Sequence, residues 1–347
     1  MSSEVFLSDM RFHLLRAAIV ILGLSLQHPV QAQSNYPLVV FGDSLSDNGN
    51  AAAALAAAGL TLGNYAANAA TDGPKTTPAT SGPFGLWIDQ FAALASLPDP
   101  QPFLMSPSLG VLSINYSATN FAVGSAIAGS NPSFSATGFL APGYAQVPGT
   151  TDQVGLFLAF NGTHASAGNL YVFWAGANNI YTALGTTATL LTFPTVAKSA
   201  ADAVAADTAV LASAGAKHFL WLNLPPLGQV PSFNDNSNLL DRILGKAAAN
   251  DAALIFNAEM DVNAARLKLR YGIDIKVVNT HSLFNSIVAN PGKYGFVNVK
   301  DAAWCGPDGL ATCASHNPNQ FLFWDQEHPT TAADAVLAEF VQSYGVK

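Results

Sequence analysis

The sequence carries little charge and no cluster of basic residues. Only 10% of its 347 residues are Asp, Glu, Lys or Arg, against roughly 25% in a typical globular protein. Acidic residues outnumber basic ones by 22 to 14, and the net charge is -8. A nucleic-acid-binding surface needs clustered Lys and Arg. The composition therefore argues against nucleic acid as a partner, and the excess negative charge favours solubility.

The sequence also lacks a hydrophobic run long enough to cross a bilayer, which takes about 20 apolar residues. The apolar run Ala17 to Leu26 is too short. It follows Arg11 and Arg16, and it precedes the small-residue site Val30-Gln31-Ala32. This order is typical of an export signal. We therefore expect no stable membrane span.

The expected organisation is a signal peptide over residues 1–32 and a single domain over residues 33–347. The expected location is secreted or periplasmic, after cleavage near Ala32. The first residues include acidic side chains, which is unusual for a signal, so Met10 is an alternative start to Met1. A buried N-terminal helix is the alternative to a signal. The sequence leaves the oligomeric state open.

Cysteine is scarce, with Cys305 and Cys313 as its two occurrences. A structural zinc site needs four ligands at suitable spacing, and only His316 lies close to the pair. In an exported protein, two cysteines within one loop favour a local disulfide. We therefore expect a disulfide between Cys305 and Cys313 and no metal site.

Short apolar runs alternate with segments of helical spacing. The predicted strands are Tyr36–Phe41, Asn120–Gly124, Leu170–Trp174, Phe219–Leu222 and Ile273–Val278. The predicted helices are Ala51–Ala58, Phe84–Leu97, Asp152–Phe160, Val196–Ala214, Leu239–Leu269 and Thr331–Tyr344. This alternation indicates βαβ units, and the apolar strands indicate a parallel sheet that is buried on both faces. We predict a three-layer α/β/α sandwich with a mainly parallel sheet and a site at the carboxyl ends of the strands.

Ser44 is a candidate nucleophile. It follows the first predicted strand in the run Gly42-Asp43-Ser44, where a turn projects its hydroxyl into a crevice. The run does not match the G-x-S-x-G elbow of the α/β-hydrolases, because Ser46 stands where the second Gly is required. A purely structural turn is the alternative interpretation.

Asp325 and His328 form a candidate base and its orienting group. A carboxylate three residues before a histidine reaches Nδ1 and leaves Nε2 free to face a serine. Glu327 is a competing carboxylate, and His316 is a rival base. A solvated pair in a loop is the alternative.

Gly124 and Asn178 are candidate donors to an oxyanion, the negatively charged oxygen that forms when a nucleophile attacks an ester. The backbone N–H of Gly124 can approach a ligand closely because glycine has no Cβ. The side-chain amide of Asn178 can donate a hydrogen bond. Each is otherwise a turn residue.

Four segments, in order, resemble the sequence blocks of the GDSL family of lipases and esterases, also called SGNH hydrolases. They are FGDSLSDNGN (Phe41–Asn50), NFAVGSA (Asn120–Ala126), FWAGANNI (Phe173–Ile180) and FWDQEHPT (Phe323–Thr330). Two positions depart from the family pattern. Ser125 stands where the second block often has another Gly, and Asn179 stands where the third usually has Asp.

The resemblance implies a flavodoxin-like fold and a serine ester hydrolase without a metal or organic cofactor. Ser44 would attack the ester carbonyl, with His328 as general base and Asp325 orienting it. The backbone N–H groups of Ser44 and Gly124 and the side chain of Asn178 would hold the oxyanion. Water would then clear an acyl-enzyme. The expected partner is a small-molecule or lipid ester.

Two other functions remain open at this point. A lipid acyltransferase would use the same residues with an alcohol in place of water. An exported binding module that has lost catalysis is suggested by Ser125 and Asn179, whereas the retention of Ser44, Asp325 and His328 argues against it.

Overall fold

A computed structural model describes residues 37–57, 59, 85–108, 111–134, 147–184, 192–234, 239–304 and 317–345. The expected signal peptide, the expected Cys305–Cys313 disulfide and the rival base His316 lie outside these residues. All three stay predictions.

In the described chain, helices separate the strands of the central sheet from one another. The strands are β1 (Leu38–Gly42), β2 (Leu104–Ser108), β3 (Val111–Ile114), β4 (Leu170–Trp174), β5 (His218–Leu222), β6 (Asp274–Val278), β7 (Asn298–Ala302) and β8 (Phe321–Phe323). The helices are α1 (Asn50–Ala57), α2 (Trp87–Leu94), α3 (Thr150–Phe160), α4 (Ala177–Leu184), α5 (Phe193–Ser213), α6 (Leu239–Tyr271), α7 (Thr280–Ala289) and α8 (Thr331–Gln342). Across the described ranges, none of the helices has both the length and the apolar character needed to cross a membrane.

The central sheet consists of four parallel strands in the order β1-β4-β5-β6. The predicted strand at Asn120 runs along the free edge of β1, where Asn120 forms a parallel bridge with Val40. The N–H groups of Phe121 and Val123 donate to the carbonyl oxygens of Val40 and Gly42 over 2.8 and 3.1 Å. With this segment included, the strand order by position in the chain is 2-1-3-4-5, which is the flavodoxin-like order.

Side chains of the central strands alternate between two cores, because successive residues of a strand point to opposite faces of the sheet. Val39 and Phe41 of β1 pack in the core that contains residues of α3, α5 and α6. Leu38 and Val40 pack in the core that contains residues of α2, α7 and α8. Burying one such side chain contributes about 1.5 to 3 kcal/mol. The predicted three-layer α/β/α sandwich is confirmed.

The order of the strands reverses between β1 and β4, and a crevice forms there at the carboxyl ends of the strands. Ser44 follows β1, and Asn178 lies in the first turn of α4 after β4. Asp325 and His328 come from the loop between β8 and α8. The start of α8 is tied to α2, since the Gln90 amide donates to the Thr331 carbonyl over 3.0 Å.

Candidate active site

The turn that carries Ser44 lies tightly against β4. A Cβ at Gly42 would lie 2.3 Å from the carbonyl oxygen of Trp174, so a residue with a side chain would displace the turn from β4. The N–H of Asp43 donates to the same Trp174 oxygen over 3.3 Å. Ser44 itself is 8% exposed. Its hydroxyl is therefore presented from a fixed backbone.

Ser44, His328 and Asp325 form one continuous chain of contacts. The Ser44 Oγ lies 2.7 Å from the His328 Nε2, and the His328 Nδ1 lies 2.9 Å from both carboxylate oxygens of Asp325. Asp325 also accepts the backbone N–H groups of Glu327 and His328 over 2.9 and 2.8 Å. The loop thus folds around its own carboxylate, which fixes the imidazole with Nε2 towards the serine.

The surrounding carboxylates control the charge of this base. Burial lowers the pKa of His328. The charge and hydrogen bond of Asp325 and the charges of Glu327 and Asp43 raise it, and the resulting pKa is about 9. Burial also raises the pKa of Asp43 to about 7, against the N–H of Leu45 and the charge of His328, which lower it. At neutral pH the imidazolium is therefore favoured.

The predicted oxyanion donors Gly124 and Asn178 differ in the hydrogen bonds that they already make. The N–H of Gly124 donates to the Asp47 Oδ2 over 2.7 Å, so in this structure it already has a partner, and its role as an oxyanion donor stays a prediction. The Asn178 amide donates one hydrogen bond, to the Ala126 carbonyl over 2.9 Å. Its second N–H has no partner among the described residues, and Asn178 lines the cavity beside Ser44.

Ser125 offers a backbone N–H that the sequence analysis did not consider as a donor. The pairing with β1 ends at Val123, whose N–H donates to Gly42 over 3.1 Å, and the chain then turns, with the N–H of Ala126 donating to the Val123 carbonyl over 3.0 Å. Inside this turn Asp47 takes the N–H of Gly124, and the next N–H is that of Ser125. Within the described ranges it has no hydrogen-bond partner, and neither does the N–H of Ser44. Ser125 has φ 66, a left-handed conformation that favours glycine.

Asn179 supports the same segment from α4. Its Oδ1 accepts the N–H of Ala128 over 2.8 Å, and its Nδ2 donates to the Ala128 carbonyl over 3.0 Å. An ionised Asp has no donor and could form only the first of these bonds. The departure at this position therefore has a structural role.

Asp47 is a buried carboxylate that joins the nucleophile turn, α1 and the oxyanion segment. It accepts the N–H groups of Gly49, Asn50, Ala51 and Gly124 over 3.0, 2.6, 2.9 and 2.7 Å. Burial raises its pKa to about 6, although these hydrogen bonds lower it. An acidic residue just ahead of a predicted helix is a start signal, and this signal could have identified Asp47 in the sequence.

A cavity opens beside Ser44 and His328. Besides these two, its polar lining includes Asp43, Asn178 and Glu327. Much of the rest is apolar or aromatic and includes Leu45, Trp174, Tyr181, Leu227, Phe284 and Phe323. In the part of the chain that the structure describes, no group of three or more His, Cys, Asp and Glu side chains is arranged to hold a metal ion.

The model of the GDSL-like Lipase/Acylhydrolase family matches residues 38–341. The chain belongs to this family. The resemblance of the four sequence blocks is thereby confirmed, and membership of the GDSL family supports an acyl hydrolase function.

Curated relatives support the same family over part of their length. A thermolabile hemolysin of Vibrio parahaemolyticus is 31% identical over 37% of this chain and 32% of its own length. The GDSL esterase/lipase APG of Arabidopsis thaliana is 28% identical over 36% of this chain and 38% of its own. A Pseudomonas putida protein from the trpE-trpG intergenic region is 26% identical over 95% of this chain and 52% of its own. The chain thus spans only a third to a half of these relatives.

Proposed function

We propose that this protein hydrolyses carboxylic esters, of lipids or of short acyl groups, through an acyl-enzyme on Ser44. The observation that carries the proposal is the contact chain Ser44–His328–Asp325, with 2.7 Å between Oγ and Nε2, at the wall of a largely apolar cavity. A nucleophile, a base and an orienting carboxylate in this relation are the parts that acyl transfer requires.

The first half of the reaction forms the acyl-enzyme. Neutral His328 takes the hydroxyl proton of Ser44 on Nε2 as Oγ attacks the ester carbonyl carbon, and the carbonyl oxygen becomes an oxyanion. Asp325 stabilises the imidazolium that results. The oxyanion then collapses, the bond to the alcohol oxygen breaks, and Nε2 returns the proton to the leaving alcohol.

Three donors suit the oxyanion: the N–H groups of Ser44 and Ser125 and the second amide N–H of Asn178. The side chain of Asn179 and the carboxylate of Asp47 hold the segments that carry them. The second half of the reaction repeats these steps with water in place of the serine hydroxyl, and it releases the acid.

The test is the Ser44→Ala variant, assayed on p-nitrophenyl esters of increasing chain length beside a phospholipid. We expect kcat/KM to fall on the order of 10³-fold or more and covalent labelling by a fluorophosphonate to be lost. Ser213→Ala, which alters an exposed serine at the end of α5, is the matched control. Hydrolysis at the wild-type rate by the Ser44→Ala protein would rule out the proposal.

We also propose that the protein is exported. The support for this is the N-terminal pattern of the sequence. N-terminal sequencing of the mature protein is expected to start near Gln33. Mass spectrometry of an unreduced digest is expected to find Cys305 and Cys313 in one linked pair. A mature chain that retains Ala17 to Leu26, recovered from the cytoplasm, would contradict export.

A further inference from the structure

Two acceptor atoms of residues that line the cavity beside Ser44 are buried and have no hydrogen-bond partner among the described residues. Asp43 is 1% exposed. Its Oδ1 accepts the N–H of Leu45 over 3.0 Å, whereas its Oδ2 is buried and, among the described residues, has no hydrogen-bond partner. The Oε1 of Gln229 is likewise buried and has no hydrogen-bond partner among the described residues, whereas its Nε2 donates to Asn285 over 2.8 Å. An unsatisfied buried acceptor costs about 1 to 3 kcal/mol. Both atoms are covered, so their effect on a ligand in the cavity is electrostatic, and the charge of Asp43 favours a positively charged group.

Glu327 adds a second carboxylate to the same cavity. Tyr181 and Asp43 line this cavity together with Glu327. Neither Lys nor Arg is among the described residues that line the cavity. His328 also lines the cavity, but it is neutral in the form that reacts, and in that form a bound cation meets two carboxylates without competition from a cationic side chain.

Aromatic rings complete the lining. Trp174, Tyr181, Phe284 and Phe323 all border the cavity, and the face of an aromatic ring attracts an ammonium group within about 6 Å. Carboxylates together with several rings suit an alkylated ammonium better than a neutral alkyl group of equal size. The same carboxylates repel a carboxylate or phosphate on the substrate.

The position of Glu327 indicates which part of the ester carries the charge. His328 returns its proton to the leaving alcohol, so the alcohol departs on the His328 side, and Glu327 is its immediate neighbour in the chain. We propose that the cavity binds a cationic group on the alcohol part of the ester, held by Asp43 and Glu327 and the surrounding rings. This inference rests on the proposed ester hydrolysis and adds a substrate class, the esters of ammonium alcohols.

The test compares two esters of the same acid, butyrylcholine and 3,3-dimethylbutyl butyrate, which have nearly the same shape and differ in one positive charge. We expect wild-type kcat/KM to be about tenfold higher for the choline ester. Glu327→Gln should lower this ratio several-fold. Both esters are cleaved with the same base, so a change in the pKa of His328 alters both rates equally and leaves their ratio unchanged. A wild-type ratio near one, or an unchanged ratio in Glu327→Gln, would overturn the inference.

Glu339→Gln is the matched control, because it removes one negative charge from an exposed position on α8 that is not among the lining residues. Its ratio should equal that of the wild type. If it falls as far as the ratio of Glu327→Gln, net charge rather than the cavity sets the preference, and the inference fails.

A binding measurement separates this inference from the proposed function. Calorimetry on the wild-type protein with choline and with 3,3-dimethylbutan-1-ol needs no turnover. Tighter binding of choline supports the cation site even if no ester is cleaved, whereas equal binding overturns it. Hydrolysis of the neutral ester without any preference for charge would leave the proposed function intact and remove only the substrate class.

Discussion

Gln153 hydrogen-bonds both backbone groups of Gly42. Its Oε1 accepts the Gly42 N–H over 2.9 Å, and its Nε2 donates to the Gly42 carbonyl over 2.8 Å. Gly42 ends β1 two residues before Ser44, and Gln153 lies in α3. A helix on one face of the sheet thus fixes the backbone from which the nucleophile projects.

Replacing Gln153 with Ala should destabilise the fold. Gln153 is 0% exposed, so water does not readily replace the lost bonds, and we expect the free energy of unfolding to fall by about 2 to 4 kcal/mol. Urea denaturation followed by tryptophan fluorescence measures it. Gln342→Ala, in which an exposed bond to Leu94 is lost, is the control. A similar small change in both variants would contradict the role of Gln153.

The activity should rise with pH. His328 acts as a base only when neutral, and its pKa is about 9 because the charge of Asp325 and its neighbours outweighs the effect of burial. We therefore expect kcat/KM for a neutral ester to increase from pH 6 towards a plateau above about pH 9. A profile that is flat between pH 6 and 9 would contradict this assignment.

Asp325→Asn should change the same profile in two ways. Loss of the negative charge lowers the pKa of His328, so the rising limb moves to lower pH. Loss of the orienting carboxylate lowers the plateau value of kcat/KM on the order of 10²- to 10⁴-fold. Glu327→Gln also removes a charge that raises the His328 pKa. It should therefore move the rising limb to lower pH, but it should lower the plateau value of kcat/KM less than Asp325→Asn does. Identical profiles for the two variants would argue against an orienting role for Asp325.

Asn178→Ala tests the oxyanion site. Its second amide N–H has no counterpart in alanine, so kcat should fall by about 10²- to 10³-fold with little change in KM. Ser44 should still be labelled by a fluorophosphonate, although more slowly. Because Asn178 also bonds to Ala126, thermal denaturation is the control that separates a catalytic loss from a loose segment. An unchanged kcat would exclude Asn178 as a donor.

Ser125→Gly tests the backbone at the other donor. The left-handed φ of 66 at Ser125 costs about 1 to 2 kcal/mol for a residue with a Cβ, and the greater freedom of glycine in the unfolded chain offsets part of this. We expect the free energy of unfolding to rise by up to about 1 kcal/mol. Activity should stay within about twofold, because the N–H remains. A loss beyond about tenfold would mean that the serine hydroxyl takes part.

Buried parallel strands could be predicted from the sequence, but exposed strands and the two helices α4 (Ala177–Leu184) and α7 could not. Leu170–Trp174 is predicted and observed with the same bounds, because five apolar residues in succession suit a strand buried on both faces. β7 (Asn298–Ala302) is polar and only partly covered, so it has no such run. α7 (Thr280–Ala289) was missed too, although Asn279 caps it by accepting the Ser282 N–H over 2.9 Å.

The candidate site, too, could be predicted from the sequence only in part. The pairing of Asp325 with His328 depends on a spacing of three residues, which the sequence displays. The partner of Gly42 in α3 is 111 positions away, and no local pattern indicates it. The choice between Gly124 and Ser125 depends on which N–H is already taken, and the acceptor of the Gly124 N–H, Asp47, is 77 positions away.

Ser44 and His328 are 284 positions apart, and this has a consequence for synthesis of the chain. A nascent chain presents the serine long before the ribosome reaches the base. Until α8 docks against α2 and brings the loop before it into place, the hydroxyl has no group to take its proton. The growing polypeptide should therefore be inert towards the esters around it, and hydrolysis should begin only after His328 has been synthesised and its loop has folded against Ser44.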